Sequence, residues 1–228
     1  KFIGHLDIMR YFQKVMRRAD VDIRYSEGFS PHQIMSFAAP LGVGMESRGE
    51  YVDIEVLSTG SSDEMVKRIN AAMVEGMKVL SYRRLPDSAA NAMSIVAAAD
   101  YEVRFREGCE PADPAEFSAG IQEFLKLDQI IVTKKTKKGD REVDIRPMIY
   151  EMRTLESGCR PCIFLKIATG SAANLKPDAV IRAYMESRGE TLADFSLMVT
   201  RTEVYAESGK EGQERTYLPL EDFGEDIL

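Results

Sequence analysis

The fold is decided by the stretch YEVRFREGCEPADPAEFSAGIQEF at residues 101–124, in which a strand pattern leads into a helix pattern. Apolar residues at positions 101, 103 and 105 alternate with charged ones, as in a strand with one buried face. Asp113, Pro114 and Glu116 then supply an N-cap, an N1 proline and a first-turn acid. The helix that they begin carries its apolar side chains at positions 117, 121 and 124. This order predicts the opening of a split βαβ unit.

The second half of the chain continues in the same way. Strand patterns cover residues 129–133, 142–146, 149–155, 163–168 and 195–205, and a helix pattern begins at Pro177 and ends near Gly189. We expect the order βαβ(β)βαβ, which has one strand more than a ferredoxin-like unit needs. We assign the extra strand to a protruding basic hairpin that turns at Lys138-Gly139-Asp140.

The first half shows a matching pattern without its opening strand. Apolar residues at positions 6, 9, 12, 16 and 19 mark one face of a helix, and residues 21–25, 52–56 and 77–82 have strand patterns. Ser61 and Glu64 form the capping box of a second helix. Because Lys1 lies only four residues before His5, either the missing strand lies upstream or the sheet is short by one strand. The chain opens on a residue other than methionine, so we expect it to be part of a longer product. The predicted fold is therefore α+β, with two tandem ferredoxin-like units that have antiparallel sheets.

Composition and charge predict where the chain divides. We expect the first unit at residues 1–86, an alanine-rich linker at 87–99, the second unit with its basic hairpin at 100–205 and an acidic tail at 206–228. The tail holds seven acids and two bases, so it carries −5 of the net charge of −7 and leaves −2 for the rest. This composition predicts a mobile or loosely docked segment.

The bulk composition limits the class of protein. Hydrophobic residues make up 44% and charged residues 29%, which is ordinary for a globular chain. No apolar run approaches the roughly 20 residues of a membrane span, and three cysteines in 228 residues predict a reducing, cytoplasmic location. Cys159 and Cys162 form a single pair without a second pair of ligands, so we expect neither a metal site nor a cofactor.

Two cationic segments indicate an anionic partner. The first is a helical stripe at Arg10, Lys14 and Arg17, followed by Arg24 in the next strand pattern. The second is the hairpin at 134–146, in which the expected RNA contacts are Lys134, Lys135, Lys137, Lys138 and Arg141. With Phe29 and His32 in a loop of the first half, these residues predict RNA binding through phosphate contacts and stacking. A basic hairpin also keeps an edge strand soluble, and that alternative stays open.

His5 and His32 are the two histidines of the chain and its candidates for catalysis. Imidazole exchanges protons near neutral pH, so either could act as a general acid or base. A capping or packing role is the simpler interpretation of His5, and the loop position of His32 favours anion binding. No serine or cysteine is placed to form an evident nucleophile–base pair. Gly28, Gly42 and Gly44 are interpreted as tight turns, with an anion nest beside Arg24 and His32 as the alternative.

Several motifs carry a family resemblance: KFIGHLDIMR at 1–10, YSEGFSPH at 25–32, PLGV at 40–43, EVDIRP at 142–147 and KPD at 176–178. In these segments the chain resembles the bacterial radical-SAM-linked domain of unknown function, over most of residues 1–205. Gly4 stands where that family usually has serine, and Gln33-Ile34 follow the loop where a basic residue is common. The resemblance implies a radical SAM protein as partner, either fused to this chain or encoded beside it.

The leading hypothesis is a non-catalytic module that recognises a substrate, RNA in our interpretation, for a radical SAM enzyme. One alternative is a metal-independent ribonuclease that uses His5 or His32 as its base. Another is a protein-interaction scaffold that docks its partner through the Gly-Phe-Ser-Pro loop at 28–31.

Overall fold

The computed structural model describes residues 3–136, 139–155, 161–208 and 215–228. These residues form an α+β structure with five α-helices and several antiparallel strand pairs, so the predicted class is confirmed. The chain divides into two compact units. Unit 1 comprises Lys1–Val43, Glu50–Val96 and Ala206–Leu228, and unit 2 comprises Gly44–Gly49 and Ala97–Tyr205. The tandem ferredoxin-like arrangement and its boundaries stay predictions.

The elements alternate between helices and mostly short strands. None of the helices in the described ranges is both long and apolar enough to cross a bilayer. In chain order the elements are α1 (His5–Arg18), β1 (Met35–Phe37), β2 (Glu46–Ser47), β3 (Val52–Ile54), α2 (Ser62–Ala71), β4 (Arg83–Arg84), α3 (Ala92–Ile95), β5 (Val96–Phe105), α4 (Pro114–Leu125), β6 (Ile131–Thr136), β7 (Gly139–Asp144), β8 (Ile149–Leu155), β9 (Cys162–Ala168), α5 (Pro177–Ser187), β10 (Leu197–Ser208), β11 (Thr216–Pro219) and β12 (Glu225–Asp226).

Unit 2 is built on a sheet in which β10, β5, β9 and β8 lie side by side in that order. The strand and helix predicted over residues 101–124 are β5 and α4. Aromatic rings join that strand to both helices: Phe105 packs edge-on against Phe117 at 5.6 Å, and Phe117 against Tyr184 of α5 at 4.8 Å. Tyr184 also donates a hydrogen bond to the Phe117 carbonyl. The helices pass so closely that a Cβ at Gly120 would lie 2.6 Å from the Tyr184 hydroxyl oxygen.

The centre of β5 contains a carboxylate, Asp100, that is only 7% exposed. The Tyr205 hydroxyl on β10 donates to it at 2.6 Å, and the Lys166 ammonium on β9 lies 3.7 Å away. The same ammonium sits 4.1 Å from the centre of the Tyr205 ring. Burial raises the pKa of Asp100 above its usual 3.8, while the Tyr205 bond and the Lys166 charge oppose that shift. Three strands therefore meet at one buried polar cluster.

Unit 1 has a helical core with little regular sheet. The apolar face predicted for residues 6–19 forms α1, whose Val15 and Met16 are buried. Ser61 accepts a hydrogen bond from the Glu64 N–H, as the capping box predicts. The buried cluster is completed by side chains from the segment after α1, from β1 and from α2: Ala19, Val21, Ile23, Met35, Met65 and Ile69.

Two of the strands predicted in unit 1 are wrong: one forms only isolated bridges, and the other does not form. The strand expected over 21–25 is reduced to isolated bridges, Ile23 with Val56 and Tyr25 with Gln33. The strand expected over 77–82 does not form. There the Asn70 side chain both accepts from the Val79 N–H and donates to the Val79 carbonyl, each at 2.8 Å. This amide therefore satisfies the backbone groups that a neighbouring strand would otherwise bind.

The described part of the acidic tail is built into unit 1, which corrects the expectation of a loosely docked segment. β12 pairs antiparallel with β4, with Asp226 opposite Arg83. The Arg83 guanidinium lies 3.2 Å from a Glu221 carboxylate oxygen and 3.6 Å from one of Asp226. The Ile227 N–H donates to the Ser62 hydroxyl at 2.8 Å. Two acids of the tail therefore form ion pairs with Arg83, and the net charge of the tail gives no indication of such pairing. Residues 209–214 of the tail lie outside the described part.

The polar cluster on β5 predicts a pH-dependent stability defect. Tyr205→Phe removes the donor to a buried carboxylate, so we expect a loss of about 1–3 kcal/mol of unfolding free energy at pH 7. Because the pKa of Asp100 is higher in the folded state, its stabilising contribution grows as the pH falls through that pKa toward 3.8 and is lost as the pH rises. Protonated Asp100 needs no donor, so the defect should shrink in acid.

Urea denaturation at a series of pH values measures this defect. Tyr101→Phe is the matched control, because the Tyr101 hydroxyl bonds only the Thr169 hydroxyl, at 3.3 Å, in the part of the chain that the structure describes. Its deficit should not depend on the ionisation of Asp100. A Tyr205→Phe deficit that stays constant from neutral to acid pH would contradict the role given to this cluster.

Candidate nucleic-acid interface

The predicted basic hairpin is a two-stranded antiparallel sheet formed by β6 and β7 alone. Its register runs from Ile131 opposite Asp144 to Thr136 opposite Gly139. Gly139 has a φ of 117°, which fits the tight turn predicted there. Lys135 lies opposite Asp140, while Lys137 and Lys138 lie outside the described residues.

The register places two cations directly across from each other, Lys134 on β6 and Arg141 on β7. Neither side chain has an ion-pair partner among the residues that the structure describes. Like charges directly across from each other destabilise a strand pair. The pairs of the opposite face each include an acid, with Thr133 across from Glu142 and Lys135 across from Asp140. One face of the hairpin therefore presents positive charge that nothing in the described chain neutralises.

The base of the hairpin is fixed by Asp144. One oxygen of its carboxylate accepts from the Ile130 N–H at 2.9 Å and from the Arg146 N–H at 3.0 Å. The backbone of the fully buried Ile145 adds an N–H donation to the Ile130 carbonyl at 2.8 Å. These bonds join the two ends of the ribbon where it meets the body of unit 2.

Arg146 is a structural cation rather than a free one. Its guanidinium donates to the Leu125 carbonyl at 2.9 Å, at the end of α4, and to the Ile149 carbonyl at 3.2 Å, at the start of β8. The sequence places Asp144 and Arg146 within the hairpin and did not predict that both anchor it. The signal that could have identified them is their position inside EVDIRP, beside Pro147 and between two strands.

The helical stripe of unit 1 is exposed but partly neutralised. Arg10, Lys14 and Arg17 all face solvent on α1. Arg10 lies 3.5 Å from the Asp7 carboxylate, and Arg24 lies 3.6 Å from Glu55. Lys14 and Arg17 have no such partner within the described ranges. The charges of Lys14 and Arg17 are therefore available to an anionic ligand.

The loop at 25–32 is a closed turn with an aromatic tip. The Ser26 N–H donates to the His32 carbonyl at 2.8 Å, and the His32 N–H donates back to the Ser26 hydroxyl at 3.1 Å. The Ser26 hydroxyl also lies 2.8 Å from Nδ1 of His32, which is a serine–histidine contact that the sequence did not predict. Gly28 has a φ of 110°, which supports its interpretation as a turn residue. Phe29 at the tip is fully exposed.

The two histidines have different surroundings. His5 is the first residue of α1, and its ring packs edge-on against Phe37 at 5.9 Å. His32 is held by Ser26 in the exposed loop. No hydrogen bond or ring contact joins the two histidines in the described part of unit 1. A catalytic role for either stays a prediction.

One of the cysteines, Cys162, belongs to the core of unit 2. Cys162 is fully buried in β9, and the Arg104 side chain donates to its sulfur at 3.3 Å. Cys159 lies outside the described residues. Across residues 3–136, 139–155, 161–208 and 215–228, no three His, Cys, Asp or Glu side chains are grouped so that they could hold a metal ion.

Comparison with known proteins identifies a family to which most of the chain is similar. A model of the bacterial family described as "Uncharacterized protein conserved in bacteria (DUF2344)" matches residues 1–177. The matched segment includes α1, the loop at 25–32 and the whole hairpin. No curated protein matches the chain.

The hairpin base predicts a graded effect of substitutions at Asp144. Asp144→Ala leaves the N–H groups of Ile130 and Arg146 without their acceptor, so we expect a loss of about 1–3 kcal/mol of unfolding free energy. Amide hydrogen exchange should accelerate across β6 and β7. Asp144→Asn retains an acceptor oxygen and is the matched control, with a smaller loss. Equal losses for both variants, or exchange that accelerates only elsewhere, would contradict the anchoring role.

Proposed function

The chain belongs to the DUF2344 family, and we propose that it is a non-catalytic accessory module that binds RNA for a partner enzyme. The observation that carries this proposal is the cross-strand pair of Lys134 and Arg141. Neighbouring cations without internal partners match the charge of a phosphate backbone, which supplies most of the affinity in sequence-independent binding. Arg141 is exposed, Lys134 is partly exposed, and the ribbon that carries both is fixed at its base by Asp144.

RNA is favoured over duplex DNA by the aromatic and loop features that accompany the cations. Exposed aromatic rings such as Phe29 stack on unpaired bases, which single strands and RNA loops offer. We assign the further phosphate contacts to the helical stripe with Arg24 and His32, and to Lys135, Lys137 and Lys138 in the hairpin. We also propose that unit 2 is ferredoxin-like, because the order β10-β5-β9-β8 with two helices fits a split βαβ unit.

The partner in this proposal is a radical SAM enzyme. Its support is the resemblance carried by the motifs at 1–10, 25–32 and 40–43. The ribonuclease alternative would rest on His32, whose Nδ1 lies 2.8 Å from the Ser26 hydroxyl. No contact in the described chain pairs either histidine with a carboxylate that would orient its ring.

A second function, protein docking, is favoured by one observation. Phe29 is fully exposed on a loop that the Ser26 and His32 bonds hold closed. A large apolar ring on a preorganised loop is the kind of anchor that fills a partner's pocket. Phe29→Ala with unchanged RNA affinity but weakened binding of the partner enzyme would assign the loop to docking.

The phosphate-contact mechanism predicts a change in the salt dependence of RNA binding. The double substitution Lys134→Ala/Arg141→Ala should reduce the slope of log affinity against log salt by about 1.4, since each phosphate contact on a single strand contributes roughly 0.7. The substitution removes a like-charge pair, so the stability of the fold should not fall. Fluorescence anisotropy with a labelled single-stranded RNA at several salt concentrations measures the slope.

The control removes the same charge from a different surface. Lys67 and Lys78 are exposed in unit 1 and belong to neither cationic segment. Lys67→Ala/Lys78→Ala should therefore leave the slope close to that of the unmodified chain. A hairpin variant with the same slope as this control would remove the basis of the proposal.

A further inference from the structure

Unit 1 contains an open groove with a volume of about 500 Å³. Its lining comes from the end of α1, from residues 20–23 with Tyr25, from the loop at 58–60 and from α2. This volume falls within the roughly 300–1,000 Å³ typical of small-molecule sites. Its lining includes three buried apolar side chains, Val21, Ile23 and Met65. The rest of the lining is mostly polar and carries charges of both signs.

The cations of the groove are Arg17 and Arg68. Arg68 is held in place because its Nε and Nη2 atoms donate to the Ala19 carbonyl at 3.2 Å and 3.0 Å. Nη2 also donates to the Asp20 carbonyl, which leaves Nη1 without a bond to any described residue. Arg17 lies in the last turn of α1, where the helix dipole favours a cation, and its guanidinium has no partner in the described chain.

The anions of the groove are Asp20 and Asp22. One oxygen of Asp22 accepts from the Ser58 hydroxyl at 2.6 Å, which fixes the carboxylate and leaves its second oxygen available. Asp20 has a φ of 52°, in the left-handed region that ends α1. Although both signs of charge line one groove, no ion pair joins them among the described residues. A ligand with an anionic group could bind the arginines of the groove, and its hydrogen-bond donors could bind the carboxylates.

The groove is also lined by one aromatic ring, that of Tyr25. Tyr25 lines the groove and is 47% exposed, and its hydroxyl accepts from the Gln33 amide at 3.4 Å. The Gln33 side chain also donates to the Gln13 carbonyl at 3.3 Å and is itself buried. The ring is therefore held against the body of unit 1 while part of it remains accessible to a flat ligand.

We propose that this groove binds a ribonucleotide, with its phosphate at Arg17 and Arg68, its ribose hydroxyls at Asp22 and its base on Tyr25. The inference rests on the proposed RNA-binding function and deepens it, because it assigns a pocket to one unpaired nucleotide of the RNA. A carboxylate that accepts from ribose hydroxyls distinguishes RNA from DNA, since deoxyribose lacks the 2′-hydroxyl. A free ribonucleotide has the same chemistry, and the experiment separates the two sources.

The test is calorimetric titration of the whole chain with adenosine 5′-monophosphate and with 2′-deoxyadenosine 5′-monophosphate. We expect the ribonucleotide to bind at least fivefold more tightly than the deoxy form. Arg17→Ala should weaken both nucleotides at least tenfold, and Arg18→Ala, its exposed neighbour outside the groove, should leave both unchanged. Asp22→Asn keeps an acceptor for Ser58 and replaces the second carboxylate oxygen with an amide, so the ribose preference should fall without loss of the fold.

Equal binding of the two nucleotides, or affinities that Arg17→Ala leaves unchanged, would overturn the inference. The hairpin variant Lys134→Ala/Arg141→Ala separates this outcome from failure of the proposed function, because it should bind the mononucleotide like the unmodified chain. Salt-dependent RNA binding without any mononucleotide binding would reject the groove alone. Mononucleotide binding that an excess of single-stranded RNA does not displace would support the groove and identify a free ribonucleotide as its ligand.

Discussion

A buried carboxylate at the centre of β5 constrains the whole of unit 2. Asp100 cannot stay ionised in the interior without partners, and its two partners come from the strands on either side, Tyr205 from β10 and Lys166 from β9. A shift of one residue in either neighbouring strand would turn its partner to the opposite face of the sheet. The cluster thus specifies one register for three strands, while the rings around Phe117 hold the helices on the sheet. On this fixed body the hairpin has a defined position.

The hairpin is fixed at its base by hydrogen bonds, while two cations on one of its faces have no ion-pair partner among the described residues. Asp144 and Arg146 use their polar groups on the backbone around them, so they add little to the charge available to a ligand. Lys134 and Arg141 do the reverse, because they repel each other and find no described partner. The fold accepts a small local cost there that a bound anion would remove. The same contrast recurs in unit 1, where Arg68 is bonded to the backbone while Arg17 is not.

The sequence predicted features that depend on local pattern and missed those that depend on distant partners. The alternation and capping signals over 101–124 and the apolar face of α1 were sufficient for β5, α4 and α1. The strand expected at 77–82 failed because Asn70 takes the place of a strand partner for Val79. The tail was misjudged because its acids meet Arg83, more than a hundred residues earlier. The groove could not be anticipated either, since Arg17, Tyr25 and Arg68 converge only in the folded unit.

Lysine footprinting tests the central claim, contact between RNA and the hairpin, most directly. The chain is acetylated briefly with and without saturating single-stranded RNA, and the modification of each lysine is measured by mass spectrometry. The account predicts that RNA protects Lys134 strongly, while the exposed Lys67 and Lys78 react at the same rate in both samples. If Lys134 reacts equally in both samples while the RNA is bound, the hairpin is not the interface.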